Sequence, residues 1–366
     1  MSGINIGIWS HGKTQVKFAA ILICVSSTMS AGARAQDAAA KFTDLNVPGA
    51  GTAANEGTLA ESINTSGVIA GNYWDTNEVS HGWVRSAEGT FTKFSAPDAG
   101  TTAGTGTGGC YGINASGDIS ANYIDANGAF HGLYRSAKGK LTEFSVTGAG
   151  TAAGQGTFPF GINSAGEISG YWIDANNVTH GFVRAASGTI TTYDTPDAGT
   201  NSGEGTTAFG INDSGTTTGS YRDSANLEHG FFRAADGTIT EFDAPGEAGT
   251  YGYGINAAGT IAGNVFNNGT SSGMVRSEEG TFTIFDATIG FGINASGAIT
   301  GWYVTGNNLS YGFLRTAAGT LDKFEAPGAG TAAGQGTTAY GINSASDVVG
   351  SYVDTNTVYH GFLRKP

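Results

Sequence analysis

Short runs of alternating apolar and polar residues fill the chain, and none has the length or the three-to-four spacing of an amphipathic helix. In one stretch the runs are Phe158 to Asn163, Glu167 to Ile173, Thr179 to Ala185 and Thr189 to Thr195, joined by Asn163-Ser164-Ala165-Gly166 and Ala185-Ala186-Ser187-Gly188. Period-two alternation bounded by glycine turns predicts four strands in successive antiparallel hairpins. The quartet recurs. Ile-Asn pairs begin at Ile63, Ile113, Ile162, Ile211, Ile255, Ile293 and Ile342, at steps of 50, 49, 49, 44, 38 and 49 residues. A period of that length belongs to propeller blades or another stacked array.

The two ends of the chain choose between these. After Ile342-Asn343 only two further strands follow, the last from His360 to Arg364, so the seventh unit lacks its fourth strand. The missing strand is supplied upstream, because Phe42-Thr43-Asp44-Leu45-Asn46-Val47-Pro48 aligns with Phe91-Thr92-Lys93-Phe94-Ser95-Ala96-Pro97, the fourth strand of the first unit. An open solenoid gives no reason for such a permutation, whereas a ring closes by it and leaves no free edge. The expectation is an all-β, seven-bladed β-propeller of four-stranded blades. Its blades span about 58–97, 108–147, 157–196, 206–245, 250–287, 288–327 and 337–366 plus 41–48.

Composition alters the picture at the N-terminus. Lys13 and Lys17 precede the apolar run Phe18 to Val25, and small residues lead to Ala33-Arg34-Ala35, so 1–35 reads as a signal peptide and 36–366 as a single mature domain. No later apolar stretch is long enough to span a bilayer as a helix. Removing the three basic residues of the leader takes the formal charge from -13 to -16, which argues against nucleic acid as a partner. Cys110 is then the one cysteine left, expected as a small buried residue. The 61 glycines find their use in hairpins and crowded inner strands.

Three features carry the candidate chemistry. An aromatic residue precedes Gly-Ile-Asn in six units, at Tyr111, Phe160, Phe209, Tyr253, Phe291 and Tyr340, but the first unit has Glu61, a carboxylate near the expected axis. Asp75, Asp125, Asp174, Asp223 and Asp354 each stand six residues before a histidine, His81, His131, His180, His229 and His360, and units five and six lack both partners. Loss in pairs predicts an Asp–His latch across the second hairpin. Arg85, Arg135, Arg184, Arg233, Arg276, Arg315 and Arg364 recur at the end of the third strand and are expected to clamp strands or blades by hydrogen bonds. Asn64, Asn114, Asn212 and Asn294 fit the glycosylation sequon, but turn chemistry accounts for the same letters.

Gly-Ile-Asn-x-Ser-Gly-x-Ile-x-Gly-x-Tyr followed by His-Gly-Phe-x-Arg resembles the exported bacterial HAF-type repeat proteins, over essentially the whole mature chain. The resemblance implies extracellular or periplasmic placement and supplies no catalytic residues. Loops joining second to third strands should share one face with the Gly-Thr connections between blades. On that face Asp75, Asn77, Asp125, Asn127, Asp174, Asn176, Asp354 and Asn356, with Glu61 nearer the axis, form the candidate surface for a glycan, another polar ligand or a protein partner. No cofactor is expected. Calcium is the one cation those oxygen-rich hairpins suggest, and they lack the dense carboxylates of a strong calcium loop. The chain shows no nucleophile elbow, HExxH or phosphate loop, so a monomeric binding propeller is the leading expectation. A polysaccharide lyase or glycoside hydrolase acting at the axial mouth is the alternative, drawing on non-repeated acids such as Glu61, Asp118, Glu204, Glu247 and Asp347.

Overall fold

The computed structural model describes residues 40–366; the leader read at 1–35 lies outside them. Among the described residues there is no helix, and therefore none long and apolar enough to cross a membrane, and 28 strands join one sheet. A representative group consists of Gly57–Ile63, Ile69–Trp74, Ser80–Arg85 and Phe91–Phe94, each antiparallel to the next. We call these the inner, second, third and outer strands. The stretch read above folds as Gly156–Ile162, Ile168–Ile173, Thr179–Arg184 and Ile190–Tyr193.

Each third strand carries its large residue at the same place, and Trp83, Leu133, Phe182, Phe231, Met274, Phe313 and Phe362 are all fully buried. The third position of most second strands is Gly, which makes room for these rings: a Cβ on Gly170 would lie 2.8 Å from Phe182 and 2.2 Å from the Phe158 carbonyl. Neighbouring groups meet through parallel pairs of one residue each, such as Ser80↔Gly106 and Thr179↔Gly205. Gly106 has φ 118°, and a Cβ there would sit 2.2 Å from the Ser80 carbonyl, so only glycine allows the backbones this close. Between the fifth and sixth groups a side chain does this work, Ser271 Oγ donating to Thr288 O at 2.7 Å.

Strand Lys41–Asp44 lies antiparallel to Tyr359–Lys365, with Phe42 opposite Arg364, and Gly57 pairs in parallel with Tyr359. The Ile-Asn asparagines add a second set of ties. Each Oδ1 accepts backbone N–H groups of its own turn, as Asn64 does from Ser66 and Val68 at 3.0 Å. Each Nδ2 meanwhile donates to the carbonyl of the next such asparagine: Asn64 to Asn114 (3.1 Å), Asn114 to Asn163 (3.1 Å), Asn163 to Asn212 (3.2 Å) and Asn212 to Asn256 (3.1 Å). The relay continues from Asn256 to Asn294 (3.4 Å), from Asn294 to Asn343 (2.9 Å), and from Asn343 back to Asn64 (3.4 Å). Asn64, Asn114, Asn212 and Asn294 are therefore buried with their amides committed, in keeping with turn chemistry rather than a sequon.

Candidate functional site: an axial cavity and a polar rim

The inner strands line a cavity of about 200 Å³. Its wall is a series of aromatic rings, with centroid separations of 4.6 Å for Tyr111–Phe160, 5.0 Å for Phe160–Phe209, 5.1 Å for Phe209–Tyr253, 5.7 Å for Tyr253–Phe291 and 6.1 Å for Phe291–Tyr340. Glu61 occupies the remaining seat. Its carboxyl is buried, accepts the Cys110 N–H at 2.7 Å, and has no cation paired with it among the described residues. Burial pushes it up to about 8 against the lowering effect of that N–H. The Asn72 amide lies 3.1 and 3.3 Å from the two carboxyl oxygens. With Glu61 neutral, its O–H donates to Asn72 Oδ1, Asn72 Nδ2 donates to Ser80 Oγ at 3.2 Å, and Ser80 donates to Thr107 O at 2.8 Å. With Glu61 ionised, the amide turns over and its Nδ2 faces the carboxylate.

The second-to-third-strand hairpins and the inter-group loops share one rim, tied by bonds such as Gly104 N–H to Glu78 O and Gly203 N–H to Asn177 O. The aspartates expected there as ligands are internally committed. Asp75 Oδ1 accepts Asn77 and Val79 N–H at 2.8 and 3.0 Å, and its Oδ2 lies 3.2 Å from His81 Nε2. Burial alone would raise this carboxyl, but those backbone donors and His81 outweigh it and hold it low; Asp125, Asp174 and Asp354 behave alike. Corresponding His–Asp distances are 3.3 Å at His131–Asp125 and His360–Asp354, 3.5 Å at His229–Asp223, and 4.0 Å at His180–Asp174.

The looser pairs have a second carboxylate at Nδ1, Asp194 for His180 and Asp243 for His229, both at 2.9 Å, where His81, His131 and His360 meet Ser95, Ser145 and Asn46. Every one of these imidazoles also stacks on the second-strand aromatic, for example His180 on Trp172 at 4.3 Å. In the sixth group Thr305 Oγ1 takes over the turn and Tyr311 stacks on Tyr303 at 5.1 Å, so the two partners are replaced together. The side chains of Asn77, Asn127 and Asn356 are exposed on the rim, as is that of Asn176, whose amide donates to Asp174 Oδ2 at 3.2 Å.

The Gly-Thr connections fill themselves. Glu56, Gln155, Glu204 and Gln335 fold back to accept loop N–H groups, Glu204 from Asn201 at 2.8 Å, and Gly199 leaves the space, since a Cβ there would lie 2.2 Å from Glu204 Oε2. At the next position but one a buried threonine hydroxyl accepts the N–H that ends the preceding outer strand, as Thr107 does from Ala96 at 2.8 Å.

Arg364 makes the hydrogen-bond clamp expected of these arginines, its Nη2 donating to Asp322 Oδ2 of the preceding group at 2.5 Å, whereas the Nη1 atoms of Arg135, Arg184, Arg233, Arg276 and Arg315 donate to the carbonyl of the residue that follows each. Arg135, Arg184, Arg233, Arg276, Arg315 and Arg364 place Cζ over the outer-strand ring of the preceding group, Phe94, Phe144, Tyr193, Phe242, Phe285 and Phe324, at 4.8 to 5.2 Å. A delocalised cation in a dry junction is favoured by an aromatic face. Arg85 has no such ring among the described residues, because Leu45 stands where the others have an aromatic. The Asn72 contact, the asparagine relay and the arginine–aromatic stacks all escape the linear reading. Their one sequence signal is repetition of Asn and of the outer-strand aromatic at a fixed offset.

No protein-family model matches this sequence, and no curated protein sequence does. Solved structures do match in shape. Virginiamycin B lyase from Staphylococcus aureus superposes with a TM-score of 0.57 at 16% identity, covering 88% of this chain and 99% of that one. The β-propeller domain of the Trilobed protease from Pyrococcus furiosus gives 0.54 at 7%, with 86% and 94% covered. The BP39L lectin from Burkholderia pseudomallei gives 0.53 at 8%, with 83% and 94% covered. The fold is propeller-like. At these identities the likeness carries the propeller architecture and no chemistry.

Proposed function

We propose that this chain is an exported binding propeller of the HAF type, with seven blades closed by the N-terminal strand, which recognises a glycan or similar polar extracellular ligand on its rim. The closure rests on the asparagine relay that returns to Asn64 and on the pairing of Lys41–Asp44 with Tyr359–Lys365. Export and extracellular or periplasmic placement rest on the leader reading and the repeat resemblance.

The observation that carries the binding reading is the state of the rim: hairpins held rigid by Asx bonds and His–Asp contacts, presenting the same exposed amide at Asn77, Asn127, Asn176 and Asn356. Repeated weak sites on one rigid face suit a multivalent ligand. The lectin among the structural neighbours has this fold, which fits the reading without deciding it. The lyase among them keeps the enzyme alternative in view, but here all five described histidines of the repeat are engaged in rim contacts, and among the described residues no second acid pairs with Glu61. A glycan array run beside a lyase and hydrolase screen on the 36–366 protein tests this. Selective binding lost on combined Asn127→Ala and Asn176→Ala substitution is expected, and turnover of a bound polysaccharide would reverse the assignment.

A further inference from the structure

The axial cavity is separate from the rim surface and has a chemistry of its own. Six aromatic residues and the isoleucines that follow them give its wall its apolar surface, which alternates with polar surface that includes Ser62, and Glu61 is the one carboxyl group among the lining residues. Tyr111, Phe209, Phe291 and Tyr340 are only partly buried, so solvent reaches this wall. Glu61 is the one acidic side chain lining the cavity, and it has no cationic partner among the described residues. An unpaired carboxyl in low dielectric is costly as a carboxylate, and a cation brought into the same site is attracted far more strongly than in water.

We propose that the axial cavity binds a small organic ammonium ion, with its apolar part against the aromatic collar and Glu61 as its counter-ion. No atom of the protein is consumed: the Glu61 proton leaves to solvent, and the ligand ammonium takes its place as hydrogen-bond donor. Asn72 then turns its amide nitrogen toward the carboxylate, while the Cys110 N–H stays in place. Because Glu61 is held up to about 8, it is neutral at pH 7 and its proton must be released on binding. The other titratable groups around it do not interfere. Cys110 and Tyr111 on the adjacent inner strand are pushed well above their ordinary values, chiefly by burial, Tyr340 on the other side is raised for the same reason, and Arg135 faces Cys110 rather than Glu61.

The experiment compares benzylamine, benzyl alcohol and benzoate by isothermal titration calorimetry at pH 7, in buffers of different ionisation enthalpy. Benzylamine is expected to bind at least about tenfold more tightly than benzyl alcohol, with close to one proton released per site, and benzoate is expected not to bind. Its affinity should weaken by about tenfold for each pH unit below 8. Glu61→Gln is isosteric and can donate to Asn72 Oδ1 while still accepting from Cys110, so it is expected to fold and to bind the amine and the alcohol equally. Binding of benzylamine without proton release, no preference over the alcohol, an unchanged preference in Glu61→Gln, or no binding of any probe overturns the proposal. None of these outcomes bears on rim binding, which the glycan array reads separately.

Discussion

Arg315 offers the cleanest measurement of what holds neighbouring blades together. Its Cζ sits 5.0 Å from the centre of the Phe285 ring, its side chain is 8% exposed, and its Nε has no hydrogen-bond partner. The Nη1 bond to Thr316 O is long, at 3.4 Å, so the ring is the main attraction. A desolvated cation–π contact is worth about 2 kcal/mol. Burial pulls the guanidinium below its usual value, which means desolvation opposes the gain. Arg315→Met should therefore lose about 1 kcal/mol net, while its coupling to Phe285→Leu in a double-mutant cycle should reach about 1–2 kcal/mol. Phe285→Leu copies the residue found naturally at Leu45, and Arg85 is the built-in control: Arg85→Met should cost about 0.5 kcal/mol or less, since no ring lies under it. Urea midpoints at constant m give all four values. A coupling energy indistinguishable from zero, or an Arg85→Met loss as large as that of Arg315→Met, would refute the clamp.

Four other perturbations have defined outcomes. Asn163→Ala removes the donor to Asn212 O and the Oδ1 that accepts two turn N–H groups, and should cost about 2–3 kcal/mol, against a control substitution of exposed Asn176 that leaves the urea midpoint unchanged. Gly106→Ala forces a Cβ to 2.2 Å from the Ser80 carbonyl at positive φ, and should lower the melting temperature more than Ala at Gly154, where nothing lies within 4 Å. Glu61 is raised from 4.5 to about 8, so the folded state holds its proton more tightly and stability falls with rising pH through that window, by up to about 1.4 kcal/mol per unit; Glu61→Gln should flatten this slope in pH-dependent urea melts. His180 is raised, chiefly by its hydrogen bond to Asp194, so its contribution is present at acid pH and lost as pH rises through its folded value; Asp194→Asn should lower the imidazole midpoint seen by NMR titration and shrink that loss to the part that Asp174 sustains.

Much of the architecture is legible without coordinates because it rests on local rules. Alternation in Phe158 to Asn163 and glycine at Gly166 and Gly188 place strands and turns, and Phe42 to Pro48 matches Phe91 to Pro97 residue by residue. The Asp-x-x-x-x-x-His spacing likewise brings Asp75 to His81, since the two flank one hairpin. Contacts across blades are different in kind. Phe94 meets Arg135 and Asn64 meets Asn114 only because one group lies beside the next, and nothing in either residue's own neighbourhood announces it. Asn72 is invisible for the same reason: an ordinary polar residue on a second strand acquires its meaning from a carboxyl on the inner strand.

The pairing of Lys41–Asp44 with Tyr359–Lys365 also orders events in time. The first described strand must wait for the last one, and Asp44 finally accepts from Tyr352 across 308 residues. Closing a flexible loop of that length would cost about 5 kcal/mol, so the intervening blades have to form first and carry the two ends together. Until then a short strand and the edge of Tyr359–Lys365 are both unpaired, open to other chains as readily as to each other. Docking of this strand is therefore the step most exposed to misassociation, since nearly all of the other native contacts already exist by then.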